Sequence, residues 1–125
     1  MNLMELPKFY IGTDIVEVER INRSLVSIGK RFKDRLFTIS EQKYCDLKSS
    51  PSIHYSGRFA AKESIIKALK SSGYKEPISL KSIEILPSDS GAPVVFLHFK
   101  LEGECKVSIS HTDLYATAMA LYIQK

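Results

Sequence analysis

The stretch GRFAAKESIIKAL, residues 57–69, decides how this chain is read. It reads as a helix, and at 100° per residue Phe59, Lys62, Ile66 and Leu69 share one stripe, with Arg58 close to it. Cations thus stand where a helix should face its core. An unpaired buried charge is costly, so Lys62 must snorkel over Phe59 and Ile66, find an anion, or border a cleft. With Arg58 it would make an anion site. Glu63 falls roughly a quarter-turn from the stripe, on the same edge as Lys67. There it is either an exposed i,i+4 partner of Lys67 or a carboxylate beside that site.

Working outward, this helix runs from about Tyr55 to Leu69 and is broken by Ser71, Ser72 and Gly73. Upstream, Thr38-Ile39-Ser40-Glu41 is a capping-box pattern that predicts a helix, closed by a loop at Ser49-Ser50-Pro51-Ser52. Val18, Ile21, Leu25 and Ile28 have helical spacing, and Gly29 ends that segment. Residues 9–16, FYIGTDIV, alternate as a strand, with Tyr10, Gly12, Asp14 and Val16 on one face. Asp14 is out of place in so apolar a strand. Either the strand ends at Thr13 and Asp14 caps the next helix, or it is a carboxylate at a strand end, open to a metal. Gly12 would let another backbone or a ligand come close.

The C-terminal half predicts short strands at 81–86, 94–101, 106–110 and 115–123, joined by the turns SDSGAP and EGE. Short strands and short turns predict an antiparallel meander, and helices gathered ahead of strands predict an α+β fold with the helices packed on one side of the sheet. In VSISHT (107–112), Val107 and Ile109 face one way and Ser108 and Ser110 the other. His111, at the strand end, is a surface residue or a phosphate donor.

The 125 residues suit one domain, 1–125, with residues 1–8 expected to be loosely ordered. A hydrophobic content of 44% with 26% charged residues is ordinary for a globular protein. No apolar run reaches the ~20 residues of a membrane span. MNLMELPKF lacks the pattern of a secretory signal, so a cytoplasmic location is expected. The net charge of +4 suits an anionic partner without choosing one. Cys45, Cys105, His54, His98 and His111 show no zinc spacing, and there is no G-x-S-x-G elbow. What remains is a set: Asp14 and Glu63, the cations Arg58, Lys62 and Lys67, and His111. Two carboxylates ringed by cations suit Mg²⁺ shared with substrate phosphates, hence phosphoryl or phosphoester transfer.

IGTDIVEVERI (11–21), GRFAAKESIIKAL (57–69), SGAP (90–93) and VSISHT (107–112), in this order, resemble the holo-acyl-carrier-protein synthases, small bacterial 4′-phosphopantetheinyl transferases. The resemblance spans about residues 9–125. It implies transfer of 4′-phosphopantetheine from coenzyme A to a serine of apo acyl carrier protein, with release of 3′,5′-ADP, in fatty acid biosynthesis. It implies Mg²⁺ held by Asp14 and Glu63, and Lys62 on the coenzyme A phosphates, so that the cation of the stripe lines the cleft. It places Arg58, Lys67, Gly91, Pro93 and Ser110 against coenzyme A, His111 at its 3′-phosphoadenosine end, and Arg20 against the carrier protein. It also implies a homotrimer, with sites between neighbouring chains. One departure is Lys70-Ser71-Ser72-Gly73-Tyr74, where the family has a G-T-G loop; a nest of backbone N–H groups could still form there. Two other readings stay open: a nucleic-acid-binding domain, although no RNP-like motif is present, and a coenzyme A-binding module without turnover.

Overall fold

The computed structural model describes residues 6–125. Strand β1 (Lys8–Glu17) leads into helices α1 (Val18–Ser27), α2 (Lys30–Leu36), α3 (Ile39–Asp46) and α4 (Pro51–Ser71). A 3₁₀ turn at Leu80–Ser82 precedes strands β2 (Ile83–Pro87), β3 (Pro93–Leu97), β4 (Glu104–His111) and β5 (Tyr115–Gln124). The α+β class is as expected. The strands, however, form two antiparallel sheets rather than one meander, in the orders β1-β5-β4 and β2-β3.

The break between the sheets has a local cause. Strand β3 stops at Leu97, and Phe99 and Leu101 turn in to pack on the core. The chain then passes β5 at Gly103, whose φ is +106°. A Cβ there would stand 2.0 Å from the Ile123 carbonyl oxygen, so only glycine fits.

Helix α4 is the axis of the molecule and packs on β1, β5 and β4. Its inner side carries Ala60, Ala61, Ile65, Ala68 and Leu69, all without exposed surface. The sheet answers with Val16, Ala116, Ala118, Ala120 and Tyr122. Small residues on both sides let helix and sheet approach closely. Strand alternation is as the sequence predicts: Tyr10, Gly12, Asp14 and Val16 face α4, while Phe9, Ile11 and Ile15 lie on the other, exposed face.

Other features differ from expectation. Pro51 opens α4 instead of ending a loop; at the first helical position its missing N–H costs nothing. Helix α2, KRFKDRL, is an element that apolar spacing does not reveal. Lys8 already pairs with Gln124, so the loose N-terminal segment does not extend to it; the rest of that expectation falls largely on residues outside the described ones.

Candidate active site

Gly12 sets the geometry. A Cβ at this position would lie 2.0 Å from the Ser64 carbonyl oxygen and 2.7 Å from the Ala68 nitrogen, so β1 rides directly on the α4 backbone. Two residues on, on the same face, Asp14 therefore comes to the edge of α4. Lys67 meets it there: its Nζ is 3.1 Å from Asp14 Oδ1 and donates to the Thr13 carbonyl at 2.9 Å. The strand runs on to Glu17, so Asp14 is not a helix cap.

Glu63 stands one turn before Lys67 and joins this group. Its carboxyl is pushed above the usual carboxylate range, first by burial and then by the negative charge of Asp14; Lys67 and Arg20 pull the other way. Asp14, Glu63, Lys67 and Arg20 thus form one electrostatic cluster. Arg20, expected only on the carrier-protein surface, also belongs to the surroundings of these carboxylates.

Lys62 is not in this cluster, and its expected place on the cleft is corrected. The side chain has no exposed surface. Its ammonium donates to Glu41 Oε1 at 2.7 Å, to the Leu36 carbonyl at 2.7 Å and to the Leu80 carbonyl at 3.1 Å. All three N–H bonds are used, so Lys62 has none left for a phosphate. Burial pushes its pKa down, opposed by Glu41. Glu41 is itself the closing residue of the Thr38 capping box, and its second oxygen accepts from the Ile85 N–H at 2.8 Å. The cation in the core stripe has found an anion and joins α3, α4 and β2.

The remaining candidates divide. Arg58 is buried with its guanidinium carbon 4.1 Å from the Tyr44 ring centroid. Its position on α4 is about 140° around the axis from Glu63, so the two cannot share a face. His111 lies against the first turns of α4, its ring 6.0 Å from that of His54. Ser110 is corrected: it pairs with Thr117 in the row of Ile15, on the sheet face turned away from α4 and from His111. Gly91 (φ +90°) and Pro93 shape the β2–β3 hairpin of the second sheet. The N–H nest that could have formed within 70–74 does not form. The N–H groups of Ser72, Gly73 and Tyr74 bond to the carbonyls of Ala68, Leu69 and Lys70, closing α4 in a Schellman motif.

Sequence reasoning missed His54 and Tyr44 and gave Lys67 too small a part. His54 is four residues before Arg58, on the same helical face, a signal that appears once α4 is extended back to Pro51.

The carboxylate cluster is suited to holding a divalent cation with few protein ligands. Among the described residues no group of three His, Cys, Asp or Glu side chains gathers, so a site built wholly from protein ligands is not formed there. Burial first, and then the charge of Asp14, raise the Glu63 carboxyl, and a cation between the two would offset that charge.

The comparisons with known proteins give the family. The 4′-phosphopantetheinyl transferase superfamily model, ACPS, matches residues 10–120. The holo-[acyl-carrier-protein] synthase of Protochlamydia amoebophila is 42% identical over 117 residues, covering 90% of this chain and 95% of that one. The synthase of Chlorobaculum parvum is 43% identical over 112 residues, covering 89% and 95%. Among solved structures, the Chronobacterium ammoniagenes ACPS–CoA complex superposes with a TM-score of 0.82 at 28% identity, covering 94% of this chain and 98% of that one. A Bacillus anthracis holo-(acyl-carrier-protein) synthase in complex with CoA (3′,5′-ADP) gives 0.79 at 32% identity, covering 93% and 96%. With the family model matched over most of its length and relatives near 40% identity, the chain belongs to the 4′-phosphopantetheinyl transferase superfamily, as an enzyme of its holo-acyl-carrier-protein synthase branch.

Proposed function

We propose that the Asp14–Glu63–Lys67 cluster carries Mg²⁺-dependent transfer of 4′-phosphopantetheine from coenzyme A to a serine of apo acyl carrier protein, in the cytoplasm and for fatty acid biosynthesis. The observation that carries this reading is the meeting of two carboxylates and one exposed ammonium where β1 crosses α4. Relatives named as holo-acyl-carrier-protein synthases and neighbours solved with coenzyme A support the substrates. No helix among the described residues is long and apolar enough to cross a membrane.

Asp14 and Glu63 would hold Mg²⁺, which supplies charge neutralisation to the pyrophosphate of coenzyme A. Lys67, with half of its side chain exposed, takes the phosphate role first expected of Lys62. Its ammonium offsets charge that builds on the non-bridging oxygens as the serine attacks the β-phosphate in line and the bond to 3′,5′-ADP breaks. Glu63 is the carboxylate of this cluster that would receive the serine proton. Arg20, on α1, presents positive charge to an acidic carrier.

The exposed sheet face supports a homotrimer. Phe9, Ile11 and Ile15 of β1 are each more than 60% exposed, and Met119 of β5 lies beside them. An apolar row of this kind marks an interaction surface.

The test is metal dependence. Enzyme stripped with EDTA and given apo carrier and coenzyme A should release no 3′,5′-ADP, and release should return on Mg²⁺ addition. Full release without a divalent cation would overturn the metal reading.

A further inference from the structure

Lys67 has two carboxylates within its reach and pairs with one of them. Glu63 lies one turn before it on α4, in the order that favours a Glu–Lys pair on a helix. Among the described residues, however, the ion pair of Lys67 is with Asp14, Nζ to Oδ1 at 3.1 Å, and none joins it to Glu63. The ammonium also donates to the Thr13 carbonyl at 2.9 Å, so two of its three N–H groups are used. One positive charge thus serves two negative ones.

The members of this cluster differ in how freely they move. Asp14 belongs to a strand held from two sides. Gly12 lies against the α4 backbone, and Thr117 Oγ1 on β5 donates to the Asp14 carbonyl at 2.9 Å. The Asp14 side chain is 17% exposed, whereas that of Lys67 is 54% exposed and ends a flexible aliphatic stem. In this position the ammonium is a monovalent substitute for the divalent cation that two carboxylates suit. Once such a cation lies between them, both carboxylates are neutralised without Lys67. The Thr13 carbonyl, a backbone group, still tethers the ammonium at the edge of the site.

We propose that Lys67 competes with the divalent cation for Asp14: it neutralises Asp14 in the metal-free enzyme, lowers the metal affinity of the site, and gives its full charge to the substrate phosphates only when displaced. The proposal rests on the metal reading given above. Lys67 thereby sets the metal affinity and ties the release of a phosphate-binding cation to occupation of the carboxylates. Removing the ammonium moves two quantities in opposite directions, with metal bound more tightly and transfer slowed. A residue that merely supported the site would weaken both.

The experiment is a titration of Mn²⁺ into the intact metal-free protein, followed by loss of the free-ion electron paramagnetic resonance signal, at neutral pH and without coenzyme A. Mn²⁺ is the probe because it takes the oxygen ligands that Mg²⁺ takes. Wild type should bind the ion and Glu63→Gln far more weakly, which locates it at the cluster. Lys67→Met keeps the aliphatic stem and drops the charge. It should bind Mn²⁺ about fivefold more tightly than wild type, the worth of one exposed ion pair, although its transfer rate falls. Lys67→Arg keeps the charge and should stay close to wild type. Thermal melts would confirm that the variants fold. Unchanged or weaker binding by Lys67→Met would overturn the proposal. So would equal tightening in Lys67→Met and Lys67→Arg, the mark of space rather than charge. Wild type that binds no Mn²⁺, or Glu63→Gln that binds it as well as wild type, would instead overturn the metal reading beneath it.

Discussion

Lys67 Nζ lies 3.1 Å from Asp14 Oδ1 although 53 residues separate them in sequence. The contact exists because Gly12 lets β1 lie against the backbone of α4. It puts a half-exposed cation and a largely buried carboxylate at one edge, with Glu63 one turn before Lys67. Lys67→Met should lower kcat by about 100-fold while leaving the fold intact. Steady-state kinetics beside a thermal melt would check both halves of this.

Gly12→Ala tests the close approach itself. The added methyl meets backbone atoms on both Ser64 and Ala68, which cannot rotate aside. The strand must lift from the helix, at a cost of about 1–3 kcal/mol. Asp14 moves with it, so activity should fall further than the lost stability explains. A variant with wild-type melting temperature and activity would show that β1 has slack at this point.

Lys62 should behave as a core residue. Lys62→Met leaves Glu41 buried without its cation, and breaking such a pair from one side costs about 3–5 kcal/mol. Glu41→Gln added to Lys62→Met keeps an acceptor for the Ile85 N–H and should recover part of the loss. Urea unfolding measures the stabilities. The activity of the folded fraction should stay near wild type, the opposite of the expectation for Lys67→Met.

Glu63 predicts a trade between function and stability. Its folded carboxyl holds a proton more tightly than the unfolded one, whose reference value is 4.5. The native state therefore binds more protons in the window above that value. Stability declines as pH rises from about 4.5 through the raised pKa. In metal-free protein Glu63→Gln should be more stable than wild type at pH near 7, and the gain should vanish at pH near 4. Melting curves at the two pH values decide it; a variant less stable than wild type at neutral pH would contradict the burial of Glu63 beside Asp14.

The exposed row of β1 should hold copies of the chain together. Ile11→Asp places a charge on the face opposite α4, where it meets only solvent in a single chain. The monomer fold should survive, and light scattering should show a smaller particle. An unchanged mass with wild-type circular dichroism would move the interface elsewhere.

Much of this was legible in the chain. Period-two alternation gave the two faces of β1, because one face must be buried against α4. The capping box at Thr38 formed as read, since its partners are three residues apart. What failed depended on contacts distant in sequence. The anion that Lys62 needs is Glu41, 21 residues earlier and already engaged in a local motif, so spacing could not show that it also turns inward. The helix α2 carries too few apolar residues for periodicity to find. Reading Pro51 as a stop removed the first turn of α4, and His54 with it. The split between the sheets rests on a near-contact of Gly103 with Ile123, which no pattern of either segment announces.

The most direct test is the intact mass of an apo acyl carrier protein after incubation with coenzyme A and Mg²⁺. Wild type, Glu63→Gln, and Glu41→Gln/Lys62→Met would be run in parallel. The account predicts a phosphopantetheine-sized gain with wild type and with the folded double variant, and none with Glu63→Gln. A gain with Glu63→Gln equal to that of wild type, or no gain with folded wild type on several carriers, would contradict it.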